Sequence, residues 1–271
     1  HIATSGRQGP VLIDVPKDLT NPDDLFDFVY PDKVHVRSYN PPIKPENHQV
    51  SRAVDAILAS ERPVIYAGGG TISSNASKEL RELNDLIDAP VTNTLMGLGV
   101  FPGTHKRFLG MLGMHGTYQA NMAMHNADLI IALGARFDDR ITNAPDKFAP
   151  RAKVIHFDVD HSSVSKIIEA DIAVFGQIKD SLQAINNHLK TKIDEIDNDK
   201  LAPWHQQISD WKEKHGLNHD LYKIEDDSRP ILPQAAVQHI YQESQGKAFV
   251  TSDVGQHQMF AAQYYHFDEP R

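Results

Sequence analysis

Asp128-Leu-Ile-Ile-Ala-Leu133, running straight into Gly134-Ala-Arg-Phe-Asp-Asp-Arg140, is the stretch on which the fold turns. The apolar run after Asp128 shows no polar alternation, the pattern of a strand buried on both faces in a parallel sheet. Glycine at its end permits a tight turn, and two arginines and two aspartates then crowd into that turn. Arginine forks suit phosphates or a carboxylate, and a surface cluster of ion pairs is the competing reading. Similar junctions occur on both sides. Pro63-Val-Ile-Tyr-Ala67 ends in Gly68-Gly69-Gly70, and Lys153-Val-Ile-His-Phe157 ends in Asp158 and Asp160.

Between these strands the period changes to that of helices. Val50, Val54, Ile57 and Leu58 recur at helical spacing, as do Leu80, Leu83 and Ile87 in a helix near Ser77–Ile87. A strand over Pro90–Leu95, a Gly-rich loop to Gly116 and a helix near Tyr118–His125 follow. Beyond Phe157 the pattern gives a short helix near Val164, a strand Ile172–Phe175 and a helix Lys179–Lys190. This alternation predicts an α/β domain over residues 45–193, a doubly wound parallel sheet with helices on both faces. Residues 1–44 read as the tail of a preceding unit, with a strand Val11–Val15 and a proline-rich surface connection. Residues 194–230 read as a linker in which Trp204, Ile208 and Trp211 mark an amphipathic helix. Residues 231–271 open a further unit: a helix Pro233–Glu243, a strand Ala248–Ser252 and the loop Asp253-Val-Gly-Gln-His-Gln258.

Composition narrows the function classes. The chain has 271 residues, room for about two domains. It lacks cysteine, which removes disulfides, Cys-ligated metals and a Cys nucleophile and suits a reducing cytoplasm. A formal charge of −9 with no basic block argues against nucleic acid as a partner. No apolar run is long enough to span a membrane. The first residue is His1, no signal-peptide pattern follows, and the ends read as cut.

Open parallel sheets bind ligands beyond the carboxyl ends of their strands. Gly68-Gly69-Gly70 sits at such an end but is neither G-x-G-x-x-G nor a P-loop, so alone it is equally a tight turn. His115, in the loop Met111-Leu-Gly-Met-His-Gly116, reads alone as an ordinary hydrogen-bonded histidine. Asp158 is placed as a ribose-hydroxyl acceptor or as a helix cap. Asp253–His257 suits backbone and amide contacts to a phosphate. No H-E-x-x-H or G-x-S-x-G motif occurs. These residues describe a cofactor-binding α/β domain between two incomplete ones, without a reaction.

Longer stretches say more. HIATSGRQGPVLIDVPKD, TNTLMGLGVFPGTH, FLGMLGMHGTYQANMAMHNADLIIALGARFDDR and VTSDVGQHQMFAAQYY span nearly the whole chain. They resemble the catalytic subunits of the acetolactate synthase family of thiamine-diphosphate enzymes. The resemblance implies the end of a pyrimidine-binding domain, a complete FAD-binding domain and the start of a diphosphate-binding domain. By it, Arg7 reaches FAD from the first domain, Gly68 and Gly69 turn under the dinucleotide, and Thr94 and Leu95 touch the flavin side. The runs from His115 through Gly134 and Arg136 to Asp138, and from Asp158 and Val159 to Gln177, correspond to two FAD-binding stretches. Gln177 departs from the aspartate that many members carry. Arg140 corresponds to the arginine holding the carboxylate of the second 2-oxo acid, with Lys17, Met114 and Asp139 at the active-site entrance. Val254, Gly255, Gln256 and His257 correspond to the loop that contacts thiamine diphosphate.

The resemblance further implies condensation of two 2-oxo acids with loss of carbon dioxide, in branched-chain amino-acid biosynthesis. It implies homo-oligomers with shared active sites and a separate regulatory small subunit. The family's activating glutamate and its Mg2+-binding G-D-G motif do not occur in these residues, so this stretch alone is expected to be inactive. Glyoxylate carboligase, pyruvate oxidase and a non-catalytic nucleotide-binding module are the competing readings.

Overall fold

Strand β1 (Pro63–Ala67) pairs on one side with β2 (Val91–Asn93), which pairs with β3 (Phe108–Met111). On its other side β1 pairs with β4 (Leu129–Leu133), followed by β5 (Lys153–Asp158) and β6 (Ile172–Phe175). The computed structural model, which describes residues 1–223 and 230–270, thus holds one six-stranded sheet of order β3-β2-β1-β4-β5-β6, parallel throughout. β1 and β4 are buried at every position because both sheet faces are covered, which is why neither strand alternates. In the central register Ile131 lies beside Ile65 and Ile155.

Helices α1 (Asn47–Ala59), α3 (Ser77–Ile87) and α6 (Ile178–Thr191) bury Val54, Leu80, Leu83, Leu182 and Ile185 against Ile65, Ile131 and Ile155. The five-residue α2 (Gly69–Ser73) links β1 to α3. On the opposite face α4 (Tyr118–Asn126) and α7 (Ala202–His215) cover Val64, Tyr66, Ile130 and Val154. The result is a doubly wound α/β sheet. Sequence sets its helix ends: Glu46 and Gln49 form a capping box on α1, and Thr117 Oγ1 accepts from the Ala120 amide on α4. Trp204 docks α7 by donating Nε1–H to the Pro63 carbonyl at 3.2 Å.

Four local expectations differ from the structure. β3 lies inside the stretch expected to be a Gly-rich loop; its Gly110 and its irregular register on β2 hide the strand pattern. The expected strands Val11–Val15 and Ala248–Ser252 do not form: neither segment pairs with a strand among the described residues, and Leu12 is 89% exposed. A single strand has no ladder to satisfy its backbone. The expected short helix near Val164 is a series of turns, in which Asp160 binds the Ser162 amide and Ser165 adopts φ 57°. Of the expected linker, residues 224–229 lie outside the described residues.

Helices α8 (Pro233–Ser244) and α9 (Gln256–Tyr264) follow, joined by the edge-to-face contact of Tyr241 with Tyr265 at 5.2 Å. Phe267 and Asp268 then bind the β2–β3 loop through the Gly103 and Thr104 amides. Among the described residues no helix is long and apolar enough to cross a membrane.

Candidate functional site

The sheet order reverses between β1 and β4, so their connections leave in opposite directions and open a crevice at the carboxyl ends. Two glycine turns meet there. The Gly68 amide donates to the Leu133 carbonyl at 2.9 Å, the Gly70 amide to the Gly134 carbonyl at 3.1 Å, and Thr71 Oγ1 to Leu133 at 2.8 Å. A Cβ on Gly68 would lie 2.3 Å from the Gly134 oxygen, and Gly134 itself has φ +57°. Only glycine fits both positions, because the two turns touch backbone to backbone.

Directly after Gly134 the chain anchors itself on Phe137, which is 1% exposed and adopts φ 54°. Its ring meets Tyr66 at 5.6 Å, His156 at 5.3 Å and Phe148 at 5.9 Å. A bulky residue with positive φ is strained and persists only where packing holds it. That anchor sends Arg136 and Asp138 outward, where they form an ion pair. Asp138 caps the short α5 (Asp139–Thr142) by accepting from the Arg140 amide at 3.3 Å. Arg140 faces Asp139 at 3.6 Å, and the Arg136 and Arg140 side chains are each 69% exposed.

The loop after β3 folds over this turn. The Met114 amide donates to the Arg140 carbonyl at 3.0 Å, and Asn121 clamps Gly113 from both sides at 3.0 and 3.1 Å. Met114 therefore stands exposed beside Arg140, while the His115 carbonyl accepts from Gln263 of α9 at 2.8 Å. Thr94 follows β2, its amide bound to the Ala67 carbonyl at 3.0 Å, and Leu95 starts the one-turn helix Leu95–Gly97. Met96, exposed and packed against Gly69, joins these residues although sequence reading did not single it out; its signal lay in the quoted TNTLMGLG stretch.

At the other side of the crevice burial pushes the Asp158 carboxyl up, and its Oδ1 accepts from the Asp160 amide at 2.9 Å. It caps a turn, not a helix. Asp160 accepts from Ser162 and from Arg7 Nη1 at 3.0 Å, and Arg7 also reaches Ser163 Oγ at 3.2 Å. Burial opposes ionisation of Asp160, but the hydrogen bonds from Ser162 and Arg7 outweigh it and hold the group down at about 2. Val159 lies half-buried between the two aspartates, and Gln177 heads α6 with its amide on the Ile43 carbonyl at 3.0 Å. Beneath them His156 is fully buried, 3.9 Å from Asp158, and burial lowers its pKa.

One edge therefore gathers Arg7, Gly68, Gly69, Thr94, Leu95, Met114, His115, Gly134, Arg136, Asp138, Asp139, Arg140, Asp158, Val159 and Gln177. Lys17 lies in the exposed turn Lys17–Thr20 and forms no side-chain hydrogen bond or ion pair with these residues. Val254, Gly255, Gln256 and His257, at the start of α9, form none with them either; Val254 is exposed. A cavity of about 460 Å³ opens where α3 and α6 begin, lined by Ser77, Arg81, Lys179 and Asp268. Among the described residues no three His, Asp or Glu side chains gather as a metal site.

A glycine crossover, two exposed arginines, each beside an aspartate, and exposed apolar side chains are compatible with a dinucleotide. The sheet order is that of dinucleotide-binding doubly wound folds. The chain belongs to the thiamine pyrophosphate enzyme family, whose central domain matches residues 50–185. Within that class it is similar along its whole length to acetolactate synthase large subunits. It is 46% identical over 270 residues to the isozyme 3 large subunit of Escherichia coli K12, and 48% identical to the large subunit of Buchnera aphidicola subsp. Schlechtendalia chinensis. Chloroplastic acetolactate synthase 3 of Brassica napus is 40% identical. The chain spans less than half the length of these relatives: 46%, 46% and 40%.

Proposed function

We propose that this chain supplies the FAD-binding middle of an acetolactate synthase catalytic subunit. In this reading residues 1–44 end the pyrimidine-binding unit, 45–193 bind FAD, 194–230 connect, and 231–271 begin the diphosphate-binding unit. The reaction joins two 2-oxo acids: two pyruvates and a proton give 2-acetolactate and carbon dioxide. The observation that carries the reading is the meeting of the glycine crossover with the turn Arg136–Arg140 at one sheet edge. Whole-length similarity to the named large subunits supports the choice of reaction.

The FAD pyrophosphate would lie beside the strand-end glycines Gly68–Gly70 and Gly134 and be held by Arg136, released from Asp138 to do so. Leu95 and Met96 would lie against the flavin, and Asp158 would accept from a ribose hydroxyl. FAD, when bound, supplies shape rather than electrons, because the net reaction is not a redox one. Thiamine diphosphate, when bound, supplies the electron sink for decarboxylation. One wall of its site would be the open loop Val254–His257, whose Gly255 adopts φ +156°. Mg2+ would be held by groups outside the described residues. Arg140 would fix the carboxylate of the second 2-oxo acid through its fork, beside Met114 and Asp139. Homo-oligomers of catalytic chains and a regulatory small subunit belong to the same reading.

The test measures acetolactate formation from pyruvate by the full-length protein with thiamine diphosphate, Mg2+ and FAD, and flavin released on denaturation. Product and bound flavin are expected. Absence of flavin, with no activity gained on adding FAD, overturns the reading. Arg140→Lys keeps charge but loses the fork, so acetolactate formation should fall about ten- to a hundredfold, the size of one charged hydrogen bond. Carbon dioxide release should fall less, and bound flavin should be unchanged. Loss of flavin in this variant would move Arg140 to the cofactor site.

A further inference from the structure

A four-residue turn joins Arg140 to α9. Gly113–Gly116 is closed by the Gly116 amide on the Gly113 carbonyl at 2.9 Å, with the Thr117 amide on the Met111 carbonyl at 3.0 Å behind it. Two successive residues of this turn bond to two different elements. The Met114 amide holds the Arg140 carbonyl in α5, and the His115 carbonyl accepts from Gln263 Nε2 of α9 at 2.8 Å. The turn and the Arg140 backbone also touch: a Cβ on Gly113, which has φ +105°, would lie 2.7 Å from the Arg140 oxygen. Moving the turn therefore moves the residue that carries the guanidinium. That guanidinium is 69% exposed, and its one ion pair among the described residues is the 3.6 Å contact with Asp139. Its place is set through the backbone.

Gln263 lies on the helix whose head is the Val254–His257 loop. It stands seven positions after Gln256, about 10 Å of helix rise. Among the described residues its bond to His115 is the one side-chain hydrogen bond from α9 to the sheet unit. One helix thus connects the loop assigned to thiamine diphosphate with the turn that places Arg140. Condensation needs both acids held within bonding reach of each other, and a misplacement of about 1 Å set by a distant residue costs much of the rate. Decarboxylation of the first acid does not need the second. We propose that Gln263 is a positioning residue for the condensation: by holding the His115 carbonyl it fixes Arg140, and the carboxylate Arg140 binds, relative to the head of α9. The inference rests on the reading of Arg140 and of the Val254–His257 loop given above and adds a residue to it.

The test compares the full-length protein, with thiamine diphosphate, Mg2+ and FAD, with its variants Gln263→Leu, Gln263→Glu and Gln263→Lys. Acetolactate, carbon dioxide and acetaldehyde are measured from pyruvate. Condensation turns two pyruvates and a proton into one acetolactate and one carbon dioxide. A pyruvate decarboxylated without condensing takes up a proton and leaves as one acetaldehyde and one carbon dioxide. Gln263→Leu and Gln263→Glu keep the bulk and lose the donor, so acetolactate per carbon dioxide should fall about two- to tenfold, the size of one net hydrogen bond. Acetaldehyde should make up the difference. Gln263→Lys presents N–H donors again and should return the ratio to near the parent value. Hydrogen exchange gives a readout apart from activity: amides of residues 112–118 should exchange faster in Gln263→Leu, with bound flavin and melting temperature unchanged. Acetolactate and carbon dioxide falling together at a constant ratio would assign Gln263 to the fold alone and overturn the proposal. Unchanged exchange in Gln263→Leu overturns it too, as does Gln263→Lys behaving like Gln263→Leu. A parent that makes acetolactate at a ratio indifferent to Gln263 keeps the reaction and loses the positioning role. A parent that makes none, with faster exchange in Gln263→Leu, refutes the reaction and keeps the hold of Gln263 on the turn.

Discussion

Asp160 shows how one side chain ties the amino-terminal segment to the sheet edge. Its carboxylate takes hydrogen bonds from Ser162, Ser163 and Arg7 and is held at about 2, below the value near 3.9 of an unfolded chain. A depressed carboxylate contributes stability above the unfolded value and loses it as pH falls through the folded one. The window is therefore about pH 4 down to about pH 2. Arg7 is largely exposed, so solvent screens the pair and the contribution should not exceed about 1 kcal/mol. Asp160→Asn should lower the urea midpoint at pH 7, and the difference from the parent should shrink toward pH 2. A difference that does not change with pH would show that the ionised carboxylate is not what stabilises this turn. The sequence pointed to Asp158 and Arg7 but not to the bond between this turn and Arg7. Asp-His-Ser-Ser carries a local capping signal, whereas a partner more than a hundred residues away leaves no trace in spacing.

Strands and helices of the sheet were legible where burial on both faces or a helical stripe set the pattern. β1 and β4 lack alternation, and α3 and α6 repeat apolar residues along one face. β3 was not legible, because a four-residue edge strand containing glycine carries too little pattern. The site was legible as a set of strand ends, since the order of alternation implies which ends share an edge; the strained Phe137 anchor was not, because a backbone dihedral is set by packing. Helix α7 tests the covering of the second face. Trp204 is 2% exposed, sits against Trp211 at 5.9 Å and Arg62 at 5.7 Å, and donates to Pro63 at the start of β1. Trp204→Ala should cost about 3–5 kcal/mol, the usual range for emptying an aromatic core position. Chemical unfolding followed by circular dichroism measures it. A loss below about 1 kcal/mol, within the range of ordinary surface changes, would mean that α7 contributes little to the sheet.

Stability across the whole chain is uneven, and the sheet is its centre. Residues 47–191 hold the six strands and most of both core layers, whereas backbone hydrogen bonds among residues 10–38 are confined to local turns. That segment exposes Leu12 at 89% and Leu25 at 95%, with Phe26, Phe28 and Tyr30 also open. Each large apolar side chain left in water forgoes roughly 1.5–3 kcal/mol that burial would supply, so the segment has almost no local free energy resisting opening. Limited chymotrypsin digestion of this 271-residue chain should therefore cut first at Phe26, Phe28 or Tyr30. The Arg7–Asp160 pair and the Gln177 amide on Ile43 tether the two flanks of the cut, so the released ends should stay associated at neutral pH and moderate salt. Raising the salt screens the ion pair and should free the amino-terminal fragment first. The melting temperature of the remaining 47–191 core should change little, because none of its buried contacts involves the cut segment. Mass spectrometry of the early fragments decides the matter: first cuts inside the 63–175 sheet would show that the two core layers are not the most stable part of the chain.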